Sequence, residues 1–220
     1  MRTLYPLMIV MLPLVALSVL QLGLPVLAPV FVHDAGLAPE AVGIIVGCMG
    51  FGSVWLFAAN DRVTPVLGPL KALICACVLG AAGTGLVMTG WAPALFPGAV
   101  MIGFAYAVTA PAGSQILSAH APKRLWGTLF SIRQAGVPLG GAIVGVVGTG
   151  LAVAYGWRVG FACLLLLPLF SVAMLATTPA AYRGGADGTT LRLRDLIQPS
   201  VIATPFRTLR ELPQIGRAHV

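Results

Sequence analysis

Gln21, Tyr106, Thr109, Arg133 and Gln134 carry polar or charged groups into stretches that are otherwise almost wholly apolar. Removing such groups from water is costly, so those that persist inside an apolar segment are candidates for contact with a solute. Arg133 is the costliest of them. Its guanidinium offers a fixed positive charge and a fork of donors that suits a carboxylate or phosphate, and Gln134 beside it adds a hydrogen-bonding amide. An arginine can also run its stem along a helix and hold its head at a membrane surface, and the sequence leaves both placements open. Gln21, Tyr106 and Thr109 can orient a solute only by hydrogen bonding.

The absences narrow the chemistry further. The apolar stretches hold no carboxylate: Asp34, Glu40 and Asp61 flank them, and Asp187, Asp195 and Glu211 lie in the tail. No proton relay through an intramembrane acid is therefore visible in this segment. There is no phosphate-cradling loop, nucleophile elbow or zinc-spaced histidine pair, and His33 and His120 fall at opposite sides of the expected membrane. Cys48, Cys75, Cys77 and Cys163 all sit in apolar stretches, where free cysteine acts as a small hydrophobe. Cys75 and Cys77 have no third ligand nearby in sequence, which favours packing over metal. The expectation is neither an enzyme nor an ATP-driven pump, with no cofactor and no metal.

The elements that must hold these groups are long apolar helices. A mean hydropathy of +0.96 with 58% hydrophobic and 9% charged residues lies far outside soluble domains. About 20 residues of helix cross a bilayer, and the chain divides into six such runs. They read as Tyr5–Phe31, Pro39–Ala59, Pro69–Thr89, Ala94–Leu117, Trp126–Ala154 and Trp157–Thr177. Gly90-Trp91-Ala92-Pro93 and Tyr155-Gly156-Trp157-Arg158 mark turns, because glycine and proline interrupt helices and tryptophan suits the headgroup layer.

Charge sets the expected orientation. With both termini in the cytoplasm, Arg62, Lys71, Lys123, Arg124, Arg133 and the arginines of the tail all lie inside, and only Arg158 is left outside. Retention of basic residues on the cytoplasmic side accounts for that asymmetry, so the net charge of +7 records topology rather than a nucleic-acid partner. Residues 178–214 read as a cytoplasmic linker that begins in a flexible glycine-rich stretch. Residues 215–220, Ile-Gly-Arg-Ala-His-Val, are what the start of a common sequencing-library adapter encodes, and the adapter's next codon is a stop. They are expected to be an artefact and are set apart from fold reasoning.

Two further patterns bear on function. Asn60-Asp61-Arg62 and then Gly68-Pro69-Leu70-Lys71 fall between the second and third runs. In the fifth run, Gly136 and Gly140 are four apart, as are Gly141 and Gly145, with Pro138 among them. Glycines at that spacing let another helix approach closely, and a proline removes a backbone hydrogen bond and permits a bend. The bland reading is an ordinary packing seam beside a charged loop that marks topology. Taken together, however, the patterns resemble the amino-terminal half of a major facilitator superfamily transporter, over Tyr5 to Thr177. Phe57 stands where that family usually opens the loop with glycine, and Gly68 follows Asp61 at a longer interval than usual.

The resemblance implies an all-α integral membrane fold: six transmembrane helices, half of a twelve-helix arrangement, built as two inverted three-helix repeats. It implies a secondary transporter that moves a small solute across the cell inner membrane by alternating access; an Arg133 that faces the cavity would make an organic anion the candidate. Its partners would be the lipid bilayer, a small-molecule substrate and a missing carboxy-terminal six-helix half. Spans one and four would line the cavity, which puts Gln21 and Tyr106 foremost. Asp61 and Arg62, with Gly68 and Lys71, would latch the two halves at the cytoplasmic side. Gly136, Pro138, Gly140, Gly141 and Gly145 would pack against a helix of the second half as a bending seam. A self-contained six-helix channel or assembly scaffold is the alternative.

Overall fold

The computed structural model of the chain describes residues 4–179 and 182. Helices α1 (Leu4–Asp34), α2 (Ala41–Leu67), α3 (Pro69–Met88) and α4 (Ala92–His120) are the first four spans. A 3-10 turn at Lys123–Leu125 leads into a composite fifth span, made of α5 (Trp126–Gln134), α6 (Gly136–Ile143), a π-helical turn at Val144–Gly148 and α7 (Thr149–Tyr155). The sixth span is α8 (Trp157–Ala176). All six are long and apolar enough to cross a membrane. The shortest, at 20 residues, reaches about 30 Å, the thickness of a hydrocarbon core.

The spans run alternately up and down. One end of the bundle carries the turns at Gly36, Gly90 and Gly156, each with positive φ, and the other carries the turn at Gly68 and the link around Ala121. The second span is longer than its apolar run. It continues through Asn60, Asp61 and Arg62 and past Pro65 to Leu67, so the expected loop shrinks to Gly68. Charges interrupt hydropathy but not helicity, and the helix ends only where Gly68 adopts φ 75°, a conformation open to glycine. The Gly68 amide donates to the Thr64 carbonyl at 2.9 Å, and the Thr64 hydroxyl donates to Asn60 Oδ1 at 2.8 Å. The side chains of Asp61 and Arg62 lie outside the described residues. So do the linker beyond Pro179, Tyr182 apart, and residues 215–220.

Proline explains the break in the fifth span. Pro138 has no N–H to give the Gln134 carbonyl, and its ring crowds that carbonyl. The helix is interrupted three residues earlier, at Ala135. The π-helical turn that follows carries no proline, and Thr149 Oγ1 donates to the Val144 carbonyl across it at 3.3 Å.

Packing relates the two halves of the bundle. The first span lies chiefly along the fourth, fifth and sixth, and the fourth chiefly along the first, second and third. Exchanging spans one to three for four to six preserves this pattern, with opposite direction through the membrane. Backbone details repeat as well. Gly68 (φ 75°, ψ 151°) and Gly156 (φ 93°, ψ 155°) open the third and sixth spans alike. Sixteen residues before each stands a glycine pressed on a neighbour, Gly52 and Gly140. A Cβ at Gly52 would meet the Val100 carbonyl oxygen at 2.5 Å, and one at Gly140 would meet Ser18 Cβ at 2.8 Å.

That second contact corrects the expected role of the glycine seam. Gly136 and Gly140 are buried against Leu14, Val15, Ser18 and Val19 of α1, within this bundle rather than against a second half. Gly141 is in ordinary contact with Leu22 of the same helix, and a Cβ at Gly145 would meet nothing within 4 Å. Spacing reveals that a helix comes close; it does not say which one.

The Gly90 end is tied across three spans. Trp157 Nε1 donates to Asp34 Oδ2 at 2.6 Å, Phe31 and Phe161 pack on the indole, and Arg158 reaches the Met88 carbonyl at 3.2 Å while lying over the Trp157 ring.

Candidate solute cavity

Arg133 does not run out to a membrane surface. It is 5% exposed, and its Nη2 donates to the carbonyl oxygens of Thr109 at 2.8 Å and Ala110 at 3.3 Å. Glycine makes the room: a Cβ at Gly113 would stand 3.0 Å from Arg133 Nε and 3.1 Å from Nη2. The side chain is thus laid from the fifth span onto the backbone of the fourth. Its Nε is buried without a hydrogen-bond partner. A carbonyl carries only a partial negative charge, so this arrangement orients the guanidinium without neutralising it.

Arg133 forms part of the wall of a cavity of about 710 Å³. Leu14 enters from the first span, Tyr106, Ala107, Thr109 and Ala110 from the fourth, and Arg133 and Gln134 from the fifth. The second span supplies the largest share, with Phe51, Ser53, Val54, Trp55, Phe57 and Ala58. Phe51 and Trp55 stack obliquely, ring centroids 5.6 Å apart. Ser53 donates to the Met49 and Gly103 carbonyls, each at 3.1 Å, which pins this wall to the fourth span. Gly103 permits the approach, since a Cβ there would collide with the Met49 carbonyl. A volume of this size suits a small organic molecule.

Four of the five polar residues singled out in the sequence therefore meet at one place. Their parts differ, however. The Thr109 hydroxyl donates to the Tyr106 carbonyl at 2.7 Å, so Thr109 serves the site through its own carbonyl, which holds Arg133. Gln21 stands outside the cavity wall. It follows Leu14 on the same face of α1 by two turns, about 10 Å nearer the Gly36 end. No carboxylate is among the described residues of the wall, and no group of three or more metal-ligating side chains occurs among the described residues.

The aromatic wall of the second span is absent from the sequence expectations. A signal for it exists: Phe51, Val54, Trp55 and Ala58 recur at helical spacing and share one face. In an apolar span that pattern cannot be told from a lipid-facing stripe. Gly68 and Lys71 stand at the turn beyond the second span, and neither belongs to the cavity wall; Gly68 is buried and Lys71 exposed.

Comparison with known proteins agrees with this architecture. The family described as the Major Facilitator Superfamily matches residues 10–215. No curated protein matches the chain. Nearly the whole sequence is covered by that family, and its six apolar helices fit an amino-terminal half. The chain belongs to the major facilitator superfamily and is a multi-pass membrane protein of the secondary-transporter kind.

Proposed function

We propose that this bundle binds a small organic anion and carries it across the cell inner membrane by alternating access. The observation that carries this reading is Arg133: a buried cation held by two neutral carbonyls, facing a cavity without an acid among its described wall residues. Two charges attract far more strongly in a low-dielectric site than in water. An anion entering the cavity gains that attraction, whereas a cation is repelled. Gln134 and Tyr106 then orient the bound group by hydrogen bonds, and Gln21 lies on the route toward the Gly36 end.

The second and fifth spans have the most open faces, with 22% and 17% of their most apolar windows buried against 72% for the first. This supports a second six-helix bundle closing on them, with Gly145 and the exposed Val146 and Val153 on the fifth span facing it. The interruption at Ala135 lets the two parts of the fifth span tilt separately as that closure changes. The Gly68 end lies in the cytoplasm in this reading, since Lys71, Lys123 and Arg124 gather there while Arg158 is alone at the other. Asp61, Arg62, Gly68 and Lys71 then form the latch between the bundles on that side.

The test compares carboxylates with their neutral amides. Proteoliposomes holding the protein from its full reading frame should take up the acid and not the amide. Equal uptake of the two overturns the anion reading.

A further inference from the structure

The cavity wall is uneven in charge and in aromatic surface, which bears on the anion it would hold. This inference rests on the reading of the cavity as the anion site and goes further, to the class of anion. Two features of the wall are unequal. Charge is concentrated at one point: Arg133 is the one lysine or arginine among the described wall residues. Aromatic surface is abundant: Phe51, Trp55, Phe57 and Tyr106 all face the same space, and Phe51 keeps 59% of its surface open. The hydroxyl that the second span contributes to the wall, that of Ser53, is turned onto the Met49 and Gly103 carbonyls.

We propose that the substrate is an aromatic monocarboxylate, its carboxylate on Arg133 and its ring against the Phe51–Trp55 pair. A second carboxylate would be buried on the aromatic side of the cavity, where no lysine or arginine is among the described wall residues, and burying it unpaired is strongly unfavourable. Inorganic phosphate or a phosphate ester carries more charge than Arg133, the one cation among the described wall residues, can offset. A flat ring, by contrast, finds a tilted aromatic pair on the wall, with Phe51 exposed and Trp55 half-buried, and such pairs add attraction beyond the area they cover. Phe51 and Trp55 are four apart on one helix, so the wall is preformed and a ligand ring need not order it.

The test is equilibrium binding to the full-length protein in lipid nanodiscs. Benzoate, hexanoate, succinate, inorganic phosphate and neutral benzamide are titrated separately. Benzoate should bind at least tenfold more tightly than hexanoate, succinate, phosphate or benzamide. Phe51→Leu and Trp55→Leu should each reduce the benzoate-to-hexanoate preference by about fivefold to tenfold, as loss of an aromatic pair implies. Leucine keeps both positions apolar, so insertion is retained. Succinate or phosphate binding as tightly as benzoate, with the affinity lost in Arg133→Gln, would overturn the aromatic class and leave the anion site standing. An unchanged preference in both leucine variants would do the same. Binding of no anion at all would overturn the anion site and this inference together.

Discussion

Replacing Gly140 by alanine adds one methyl group at the closest approach between the first and fifth spans. That methyl carbon would stand 2.8 Å from Ser18 Cβ and 3.2 Å from the Val19 amide nitrogen. Carbon atoms pack comfortably at about 3.5–4.0 Å, so the helices must part by about 1 Å. No flexible side chain can swing aside, because a Cβ and a backbone nitrogen are fixed to the helix that carries them. Overpacking of this kind costs about 1–3 kcal/mol. Alanine is also the better helix former, by up to about 1 kcal/mol, which offsets part of the loss. A comparison with Gly145→Ala removes the offset, since its methyl would meet nothing within 4 Å. Reversible unfolding in mixed detergent micelles, followed by tryptophan fluorescence, gives both free energies. Gly140→Ala should be less stable than Gly145→Ala by about 2 kcal/mol, with Gly141→Ala in between. A Gly140→Ala protein as stable as Gly145→Ala would refute the close packing of the fifth span on the first.

Further consequences are open to simple measurement. Gly103→Leu should prevent assembly of the bundle, seen as loss of monodisperse protein after detergent extraction, because the side chain would occupy the place of the Met49 carbonyl. Trp157→Phe removes the donor to Asp34 and should lower stability by about 1 kcal/mol in the same unfolding assay, a modest value because the carboxylate is partly solvated. An unchanged midpoint would show that the bond contributes nothing. In a cysteine-free background, a membrane-impermeant thiol reagent should label a cysteine at Glu40 in intact cells and spare one at Ser118. The reverse pattern would invert the proposed orientation.

What could be read from the sequence followed the physical origin of each feature. Apolar length is a property of the chain alone, so six spans could be counted before any contact was known. The end of the second span could not be read this way. Asn60, Asp61 and Arg62 lower hydropathy without ending the helix, and the true stop is the conformation of Gly68. The interruption of the fifth span at Ala135 has a local cause in Pro138, which lacks an N–H, while the π-helical turn at Val144–Gly148 has no comparable cause in residue type. Arg133 stood out as a charge in an apolar stretch, but its direction depends on Gly113, twenty residues earlier, leaving space beside the fourth span. The glycines announced a close approach and left its partner open; tertiary packing chose α1. The aromatic wall of the second span was silent for the same reason, since an outward stripe and a cavity stripe have the same spacing.

The central claim is that the buried charge of Arg133 selects and holds an anion. Its most direct measurement is the initial rate of carboxylate uptake by the full-length protein and by Arg133→Lys and Arg133→Gln variants, reconstituted at matched protein density. Loss of a charge-assisted hydrogen bond in a desolvated site predicts that Arg133→Gln is slower by on the order of a hundredfold. Arg133→Lys keeps the charge without the fork and should retain an intermediate rate. Equal rates for all three proteins would contradict the account.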